Sequence, residues 1–174
     1  ADPDRSVNGN GLGVHGSITK APVATGADVV AYSNFSSSNY LEQPYNSDLD
    51  FGTGDFCVMG WFKESSFLDS LAYILSRDTP VSEENFNIYL QSGQITLKLD
   101  DNTSNYLLQV SGASVVGQWQ HFVCLKNGNT AYIYINGVQK SSLDVSAMGS
   151  LNNASATLRL GFSSYGTSPF DTGS

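Results

Sequence analysis

The 174-residue chain is short of charge, and most of its charges are negative. Only 14% of its residues are charged, with 8 Lys and Arg against 16 Asp and Glu, so the formal net charge is −8. Nucleic acids and anionic membranes attract clusters of Lys and Arg, so the composition argues against both as partners. No apolar run approaches the roughly 20 residues of a membrane span, which argues against membrane insertion.

Residues that carry catalysis and metal binding are also scarce. The two histidines, His15 and His121, and the two cysteines, Cys57 and Cys124, stand in separate segments. They provide neither the ligand spacing of a zinc site nor a nucleophilic triad. Both cysteines lie in apolar runs, which favours two buried free thiols. One disulfide between neighbouring strands is the alternative.

Aromatic and turn-forming residues are abundant: 9 Tyr, 9 Phe, 2 Trp, 17 Gly, 25 Ser and 14 Asn. Helical periodicity is nearly absent. Short β-rich runs recur at about 8–12-residue spacing, with turn residues between them. The runs are 56–63, 86–90, 94–99, 106–110, 121–125, 130–135, 138–141 and 157–162. This pattern predicts an all-β fold, an antiparallel two-sheet β-sandwich, formed by a single domain over residues 1–174.

Individual segments carry further expectations. Residues 56–63 are apolar on both faces, which is typical of a strand buried between two layers. Asn127-Gly128 and Asn136-Gly137 are strong hairpin signals. The polar stretch 64–71 is the one that could form a short helix, and residues 142–153 are predicted to be a loop.

Three motifs occur in order along the chain: LDFGTGDF followed by Trp61, then GQWQHF at 117–122, then YIYING at 132–137. This series resembles the concanavalin A-like jelly-roll superfamily, and within it the laminin G-like and pentraxin-like branch, over residues 12–170. Segments 4–9 and 26–32 are also similar to modules of bacteriophage tail and tail-fibre proteins. The resemblance implies a jelly-roll sandwich on a virion surface or in another extracellular setting.

The resemblance also concerns the end of the sheet. In the family, a segment like 168–173 leads into a final strand that closes the sheet beside the N-terminal strand, whereas this sequence stops at Ser174. We therefore expect an unpaired sheet edge, which recruits other strands. Either the chain is a truncated fragment, or a strand donated from another segment completes the sheet.

Catalysis is the first function that the resemblance allows us to test against the residues. Enzymes of this superfamily that cut β-glucans carry an E-x-D-x-E alternation on one strand, because glycoside hydrolysis needs a pair of carboxylates at a fixed separation. This chain has four glutamates, at positions 42, 64, 83 and 84, and none belongs to such an alternation. The sequence therefore predicts a chain that is not an enzyme.

Calcium is the only cofactor with support. Laminin G-like domains often bind calcium through an Asp just before the strand matched here by 86–90, where this sequence has Glu84 and Asn85. Carboxylate and amide oxygens of two loops are further candidates: Asp48, Asp50 and Asp55, and Asp100, Asp101 and Asn102. The alternative is turn chemistry, because Asp and Asn cap their own backbone.

The sequence thus predicts a non-catalytic module that binds a cell-surface glycan or receptor. Exposed rings would stack on the sugar, and Asp and Asn side chains would bond to its hydroxyls. The candidate ligand residues lie near loops: Tyr45, Asp100, Asp101, Asn102 and Tyr165. The resemblance to phage fibres implies a homo-oligomer. A structural spacer without sugar binding and a degenerate glycoside hydrolase are the alternatives.

Overall fold

The computed structural model describes residues 9–79, 86–151, 156–164 and 169–170. Within these ranges the chain forms thirteen strands and one turn of 3-10 helix, Ser47–Leu49. The strands are β1 Gly13–His15, β2 Thr19–Pro22, β3 Val30–Ser33, β4 Tyr40–Gln43, β5 Phe56–Phe62, β6 Ala72–Asp78, β7 Phe86–Gln91, β8 Gln94–Asp100, β9 Asn105–Val110, β10 Gln120–Asn127, β11 Thr130–Ile135, β12 Val138–Asp144 and β13 Thr157–Leu160. This part of the chain contains no helix with the length and hydropathy of a membrane span.

Two sheets form the body of the fold. The larger has seven strands in the order β1-β4-β13-β6-β7-β8-β9, and the smaller has four in the order β12-β11-β10-β5. Strands β2 and β3 form a separate hairpin. Neighbouring strands in both sheets run antiparallel. The predicted all-β antiparallel sandwich is therefore confirmed.

Most predicted strands occur where the turn residues placed them. Asn136 and Gly137 have φ angles of 52° and 79°, a left-handed pair that joins β11 to β12 in a two-residue turn. Two expectations were wrong. Residues 64–71 contain no helix, and β12 continues to Asp144, into the segment predicted to be a loop. In addition, the sequence pattern did not predict β6, which is the central strand of the larger sheet.

The core lies between the two sheets and is built from alternate residues of their strands. Ile88 and Leu97 from the larger sheet and Ile133 from the smaller one are fully buried. Each such side chain contributes about 1.5–3 kcal/mol when it leaves water. The period of two along the strands therefore decides which residues hold the sheets together.

Strand β5 departs from the expectation that both of its faces are buried. Its inward side chains reach the core, whereas Cys57, Met59 and Trp61 are exposed on the other face. The reason is that β5 is the last strand of the four-stranded sheet in the described chain, so its outward side chains have neighbours from that sheet on one side only. Cys57 and Cys124 are free thiols, as expected, but only Cys124 is buried. Burial raises the pKa of the Cys124 thiol.

Glu64, shortly after β5, is a buried carboxylate. It is 3% exposed, and neither of its carboxylate oxygens makes a hydrogen bond of normal geometry with the described residues. Burial raises the pKa of Glu64 above the ordinary value of 4.5, and the Ser114 hydroxyl opposes this shift only in part. The folded protein therefore holds the Glu64 proton more tightly than the unfolded chain does.

Replacing Glu64 with Gln is expected to raise the free energy of unfolding at pH 7 by about 1–2 kcal/mol, because the variant no longer buries a charge without a partner. Since the folded pKa of Glu64 is raised, the contribution of this one group to stability is greatest below pH 4.5 and is lost as the pH rises through the folded value. The gain should therefore disappear below pH 4.5 in urea unfolding measured across this range.

Asp144→Asn is the matched control. The backbone amide of Ser146 donates to the Asp144 carboxylate and lowers its pKa, so neutralising this side chain should not stabilise the protein at pH 7. Equal stabilisation by both variants would mean that net charge, and not the burial of Glu64, causes the effect.

Candidate functional site

The outer face of the seven-stranded sheet carries polar and aromatic side chains, and we call it the polar face. Along β7, Phe86, Ile88 and Leu90 point into the core, so Asn87 and Tyr89 point outward. The strand register places further outward side chains beside them: Tyr40, Glu42, Tyr73, Ser76, Thr96, Lys98 and Arg159.

The middle of the polar face is buried although its side chains are polar. Ser76 and Asn87 are 0% exposed and Thr96 is 1% exposed. Among the described residues, the side-chain amide of Asn87 and the hydroxyl of Thr96 have no hydrogen-bond partner. A buried polar group without a partner costs about 1–3 kcal/mol.

One end of the polar face, where β1, β4 and β13 meet, is a cluster that we call the polar corner: His15, Tyr40, Glu42 and Arg159. The register produces it, because His15 lies opposite Tyr40, and Glu42 lies opposite Arg159. The His15 ring stacks on the Tyr40 ring with 4.5 Å between centroids. The Arg159 guanidinium carbon lies 4.8 Å from the centroid of the same ring.

One carboxylate holds both basic side chains of the polar corner. Nε of Arg159 donates to Oε2 of Glu42 at 2.7 Å, and Nε2 of His15 lies 3.4 Å from Oε1 of Glu42. The His15 side chain is nevertheless 44% exposed. The corner is thus both fixed in geometry and accessible. A guanidinium in this position can donate paired hydrogen bonds to a carboxylate or to neighbouring hydroxyls.

The structure brings the predicted ligand residues to one rim of the seven-stranded sheet, but not into one cluster. Strands β4 and β8 run in the same direction, because three strands separate them in an antiparallel order. Tyr45 follows β4 and Asp100 ends β8, so both lie at the same rim. At about 4.8 Å per strand the two ends are about 19 Å apart.

Tyr45 is held in place at this rim while its ring stays accessible. Its hydroxyl donates to Oδ2 of Asp50 at 2.8 Å, and this hydrogen bond raises the pKa of Tyr45. Asp50 in turn accepts from the guanidinium of Arg77, whose side chain is buried. Tyr45 is 40% exposed, so a sugar ring could stack on it.

The turn between β8 and β9 uses its carboxylates internally. Oδ1 of Asp100 accepts the amide of Asn102, whose φ is 65°. Oδ2 of Asp101 accepts a hydrogen bond from the backbone amide of Gly149 at 2.6 Å, and Oδ1 accepts hydrogen bonds from two backbone amides of its own turn. These bonds, above all the one from Gly149, lower the pKa of Asp101. Both oxygens of Asp101 are therefore engaged, as the turn-chemistry alternative proposed.

Some of the other candidate residues lie outside the part of the chain that the structure describes. Glu84, Asn85 and Tyr165 lie outside the described residues. Within the described ranges, no three His, Cys, Asp or Glu side chains come together in a group that could hold a metal ion. Asp50 and Asp55 accept hydrogen bonds from protein donors. Calcium binding stays a prediction.

The sequence alone did not predict the polar corner. Its members come from positions 15, 40, 42 and 159, and Arg159 is 117 residues from Glu42. The available signal was the polar residue within each short strand, Glu42 in YLEQ and Arg159 in TLRL. The register that aligns these strands depends on distant contacts, so this signal alone could not group them.

Comparison with known proteins bears on the fold. A laminin G family model, described as the concanavalin A-like lectin/glucanases superfamily, matches residues 35–173. The chain belongs to this superfamily. The resemblance drawn from the three sequence motifs is thereby confirmed, whereas the similarity to phage tail modules stays a prediction. Among curated protein sequences, none matches this member of the superfamily.

Solved structures with the same fold include binding domains of bacterial toxins. The binding domain of Paraclostridial Mosquitocidal Protein 1 has a TM-score of 0.73 at 16% identity, covering 94% of this chain and 42% of that one. The binding domain of botulinum neurotoxin DC, solved with rat synaptotagmin II, has a TM-score of 0.70 at 16% identity, covering 91% and 40%. The chain thus spans about two fifths of these domains.

A carbohydrate-binding module is also similar. The CBM40 of the Ruminococcus gnavus IT-sialidase, solved with α2,3-sialyllactose, has a TM-score of 0.57 at 16% identity, covering 67% of this chain and 68% of that one. At this level of identity, the structural similarity shows only that the fold is shared. What each of these proteins binds is a property of that protein.

Proposed function

We propose that this chain is a non-catalytic recognition module that binds a cell-surface glycan through the polar corner. The observation that carries the proposal is the arrangement of His15, whose side chain is 44% exposed, and Arg159, whose side chain is 17% exposed, around one carboxylate and one aromatic ring. Side chains that are already fixed before binding lose little entropy when the ligand arrives. The polar corner therefore offers a ligand hydrogen-bond donors, an acceptor and a ring face with little loss of side-chain entropy on binding.

The proposal draws further support from the neighbours of the fold. Solved structures of the same fold include a complex with sialyllactose, a complex with synaptotagmin II and a botulinum neurotoxin whose cell entry depends on two ganglioside molecules. The exposed ring of Tyr45 and the exposed side chain of Asn102, at the rim of the same sheet, would contact a longer glycan. A virion-surface or extracellular setting fits such a role and stays a prediction.

A glycan array tests the proposal directly. Single sites of this type are weak, so the chain should be displayed as a tetramer to gain avidity. We expect the wild type to bind a defined group of glycans, and Arg159→Gln to lower that binding at least about tenfold, since a charge-assisted hydrogen bond is lost. Lys20→Gln is the matched control, because Lys20 also lies over an aromatic ring, 5.9 Å from the centroid of Tyr32, away from the corner.

Two further variants separate the polar corner from the rim. If Tyr45→Ala and Asn102→Ala abolish binding while Arg159→Gln keeps it, the ligand sits at the rim and the assignment to the corner is wrong. If the wild type binds no glycan, the proposed function itself is wrong. Binding that is lost with a chelator and restored by calcium would support the calcium prediction.

A structural role without sugar binding is the competing function, and one observation favours it. In the described chain, β5 pairs only with β10 and leaves its other edge unpaired. A free edge of this kind supports assembly with another polypeptide. Stable oligomers in sedimentation experiments, together with silence on the array, would favour this role.

A further inference from the structure

An apolar cavity of about 980 Å³ lies beside β5, and three parts of the chain surround it. Strand β5 forms one wall and the β2–β3 hairpin forms another, through residues 21–23 and 29–33. Side chains from between the two sheets form the floor. Among the described residues the hairpin pairs with neither sheet, so no strand pairing closes the cavity. The cavity is therefore an internal space of this domain.

The exposure of the lining residues shows where the floor and the entrance lie. Leu41 and Phe122 are 2% and 3% exposed and belong to the floor. Val29, just before β3, is 67% exposed, and Met59 and Trp61 of β5 are 63% and 64% exposed. A molecule from solvent could therefore enter between the hairpin and β5 and reach the space between the sheets.

Hydrophobic exposure in this protein is greatest at this entrance. Among the large hydrophobic side chains that are exposed in the described chain, Val29, Trp61 and Met59 have the three highest exposed fractions. An exposed apolar patch of this kind marks an interaction site or a ligand groove. A concave, mostly apolar lining with few polar groups is typical of a small-molecule site. The cavity is thus suited to an apolar ligand.

The charge of the lining limits which ligands fit. Lys63 is the one charged side chain among the described residues that line the cavity, and no Asp or Glu lines it there. Lys63 is exposed, and its Nζ lies 5.4 Å from the centroid of the Trp119 ring, which also lines the cavity. One positive charge beside an apolar space favours a ligand with an apolar body and one negative charge.

The chain itself offers no apolar segment that could fill the cavity. The runs outside the described ranges read ADPDRSVN, PVSEEN, NNAS, YGTS and DTGS. None of them contains two large hydrophobic residues. Because the hairpin and β5 form the walls of the entrance, a slender molecule is favoured over a folded partner. The occupant is therefore a small amphiphile from outside the chain.

We propose that this cavity binds a single-chain fatty acid, with its hydrocarbon chain between the hairpin and the two sheets and its carboxylate at Lys63. The hydrocarbon chain covers apolar surface that is otherwise exposed to water. The Lys63 ammonium donates to the carboxylate at the entrance. Leu41 places this site on the inner face of β4, whereas the polar corner lies on the outer face, so the inference does not depend on glycan binding.

Tryptophan fluorescence measures the binding directly, because Trp61 and Trp119 are the two tryptophans of the chain and both line the cavity. The probe is decanoate below its micelle concentration. We expect a saturable change that fits one site per chain, and quenching by decanoate brominated at its last carbon. Octanoate, which is two methylenes shorter, should bind at least about tenfold more weakly, because each buried methylene contributes about fourfold.

Decylamine tests the charge of the ligand, because its chain has the same length as that of decanoate and its charge is opposite. The net charge of −8 would favour the amine if only the overall charge mattered. We expect decanoate to bind more tightly. Lys63→Gln should weaken decanoate binding about threefold or more without weakening decylamine binding. Lys140→Gln is the matched control, because Lys140 is exposed on β12 at the opposite edge of the same sheet.

A second pair of variants tests the position of the hydrocarbon chain. Leu160 of β13 lines the cavity and is partly buried, so Leu160→Phe should take up space and weaken decanoate binding about fourfold or more. Leu107→Phe is the matched control, because Leu107 is 47% exposed on β9, at the far edge of the larger sheet. Thermal unfolding checks that each variant folds, and the lysine variants decide the outcome if Leu160→Phe does not.

Three results would overturn the proposal. Absence of any fluorescence change or quenching at about 1 mM decanoate would show that the hairpin packs onto β5 in solution and leaves no site. Tighter binding of decylamine, or decanoate binding that Lys63→Gln leaves unchanged, would show that the ligand class is wrong. Equal weakening by Leu160→Phe and Leu107→Phe would show that the fatty acid binds outside the cavity.

Discussion

Replacing Gly161 with Ala is expected to lower the free energy of unfolding by about 2–5 kcal/mol. Gly161 has a φ of 82°, a left-handed conformation that costs a residue with a side chain about 1–2 kcal/mol. An added Cβ would lie 2.0 Å from Cδ1 of Phe35, and overpacking costs about 1–3 kcal/mol more. Phe35 is buried and meets the edge of the Phe170 ring, so it has little room to move away.

Gly137→Ala provides the matched control for this prediction. Gly137 has a φ of 79°, and no atom lies within 4 Å of a Cβ added there. It therefore carries the backbone cost of about 1–2 kcal/mol without the collision. Urea unfolding of the two variants measures the difference. Equal losses would show that the Phe35 ring yields to the new methyl group.

Replacing Asp50 with Ala should cost about 3–5 kcal/mol, as expected when one partner of a buried ion pair is removed. The Arg77 side chain is 3% exposed, and its guanidinium donates to Asp50 and to the carbonyl of Leu49. Without the Asp50 carboxylate, the positive charge would stay in a poorly solvated position. Chemical denaturation at neutral pH measures the loss.

A double variant shows whether the loss of stability arises from the positive charge that Arg77 keeps. Asp50→Ala combined with Arg77→Met removes both charges, and apolar replacements of buried ion pairs are often neutral. We expect the double variant to be more stable than Asp50→Ala alone, so the coupling energy of the cycle should exceed about 1 kcal/mol. A double loss equal to the sum of the single losses would mean that the two side chains do not interact.

Local sequence was sufficient for the hairpins. Asn127-Gly128 and Asn136-Gly137 were predicted to be hairpin signals, and each stands where two antiparallel strands are joined in the structure. Turn formation depends on the φ preferences of a few adjacent residues, so it can be read from a short window.

Local sequence was misleading for β5. Its uninterrupted apolar run indicated a strand covered on both faces, yet Trp61 is largely exposed. Hydrophobicity reports that a strand can be buried, but the position of the strand in its sheet decides whether a second layer reaches it. The same reason explains why Cys57 is exposed although its neighbours are apolar.

The candidate site depends even more on distant contacts. Tyr45 and Asp100 were chosen for their side-chain chemistry, and only the strand order shows that they share one rim about 19 Å apart. The engagement of Asp101 by the Gly149 amide joins two loops that are 48 residues apart. Chemistry can be read from residue type, whereas proximity cannot.

The sequence by itself determined that this protein is an antiparallel β-sandwich, because turn residues and alternating side chains act over a few positions. The resemblance to the concanavalin A-like superfamily came from three motifs that occur in order along the chain. The tertiary structure decided that Arg159 meets Glu42, that Glu64 is buried, and that β5 has a strand on one side only among the described residues. These features arise from the order in which distant strands pair and from the unequal size of the two sheets. Such non-local packing is set by the whole chain and is not contained in any single segment.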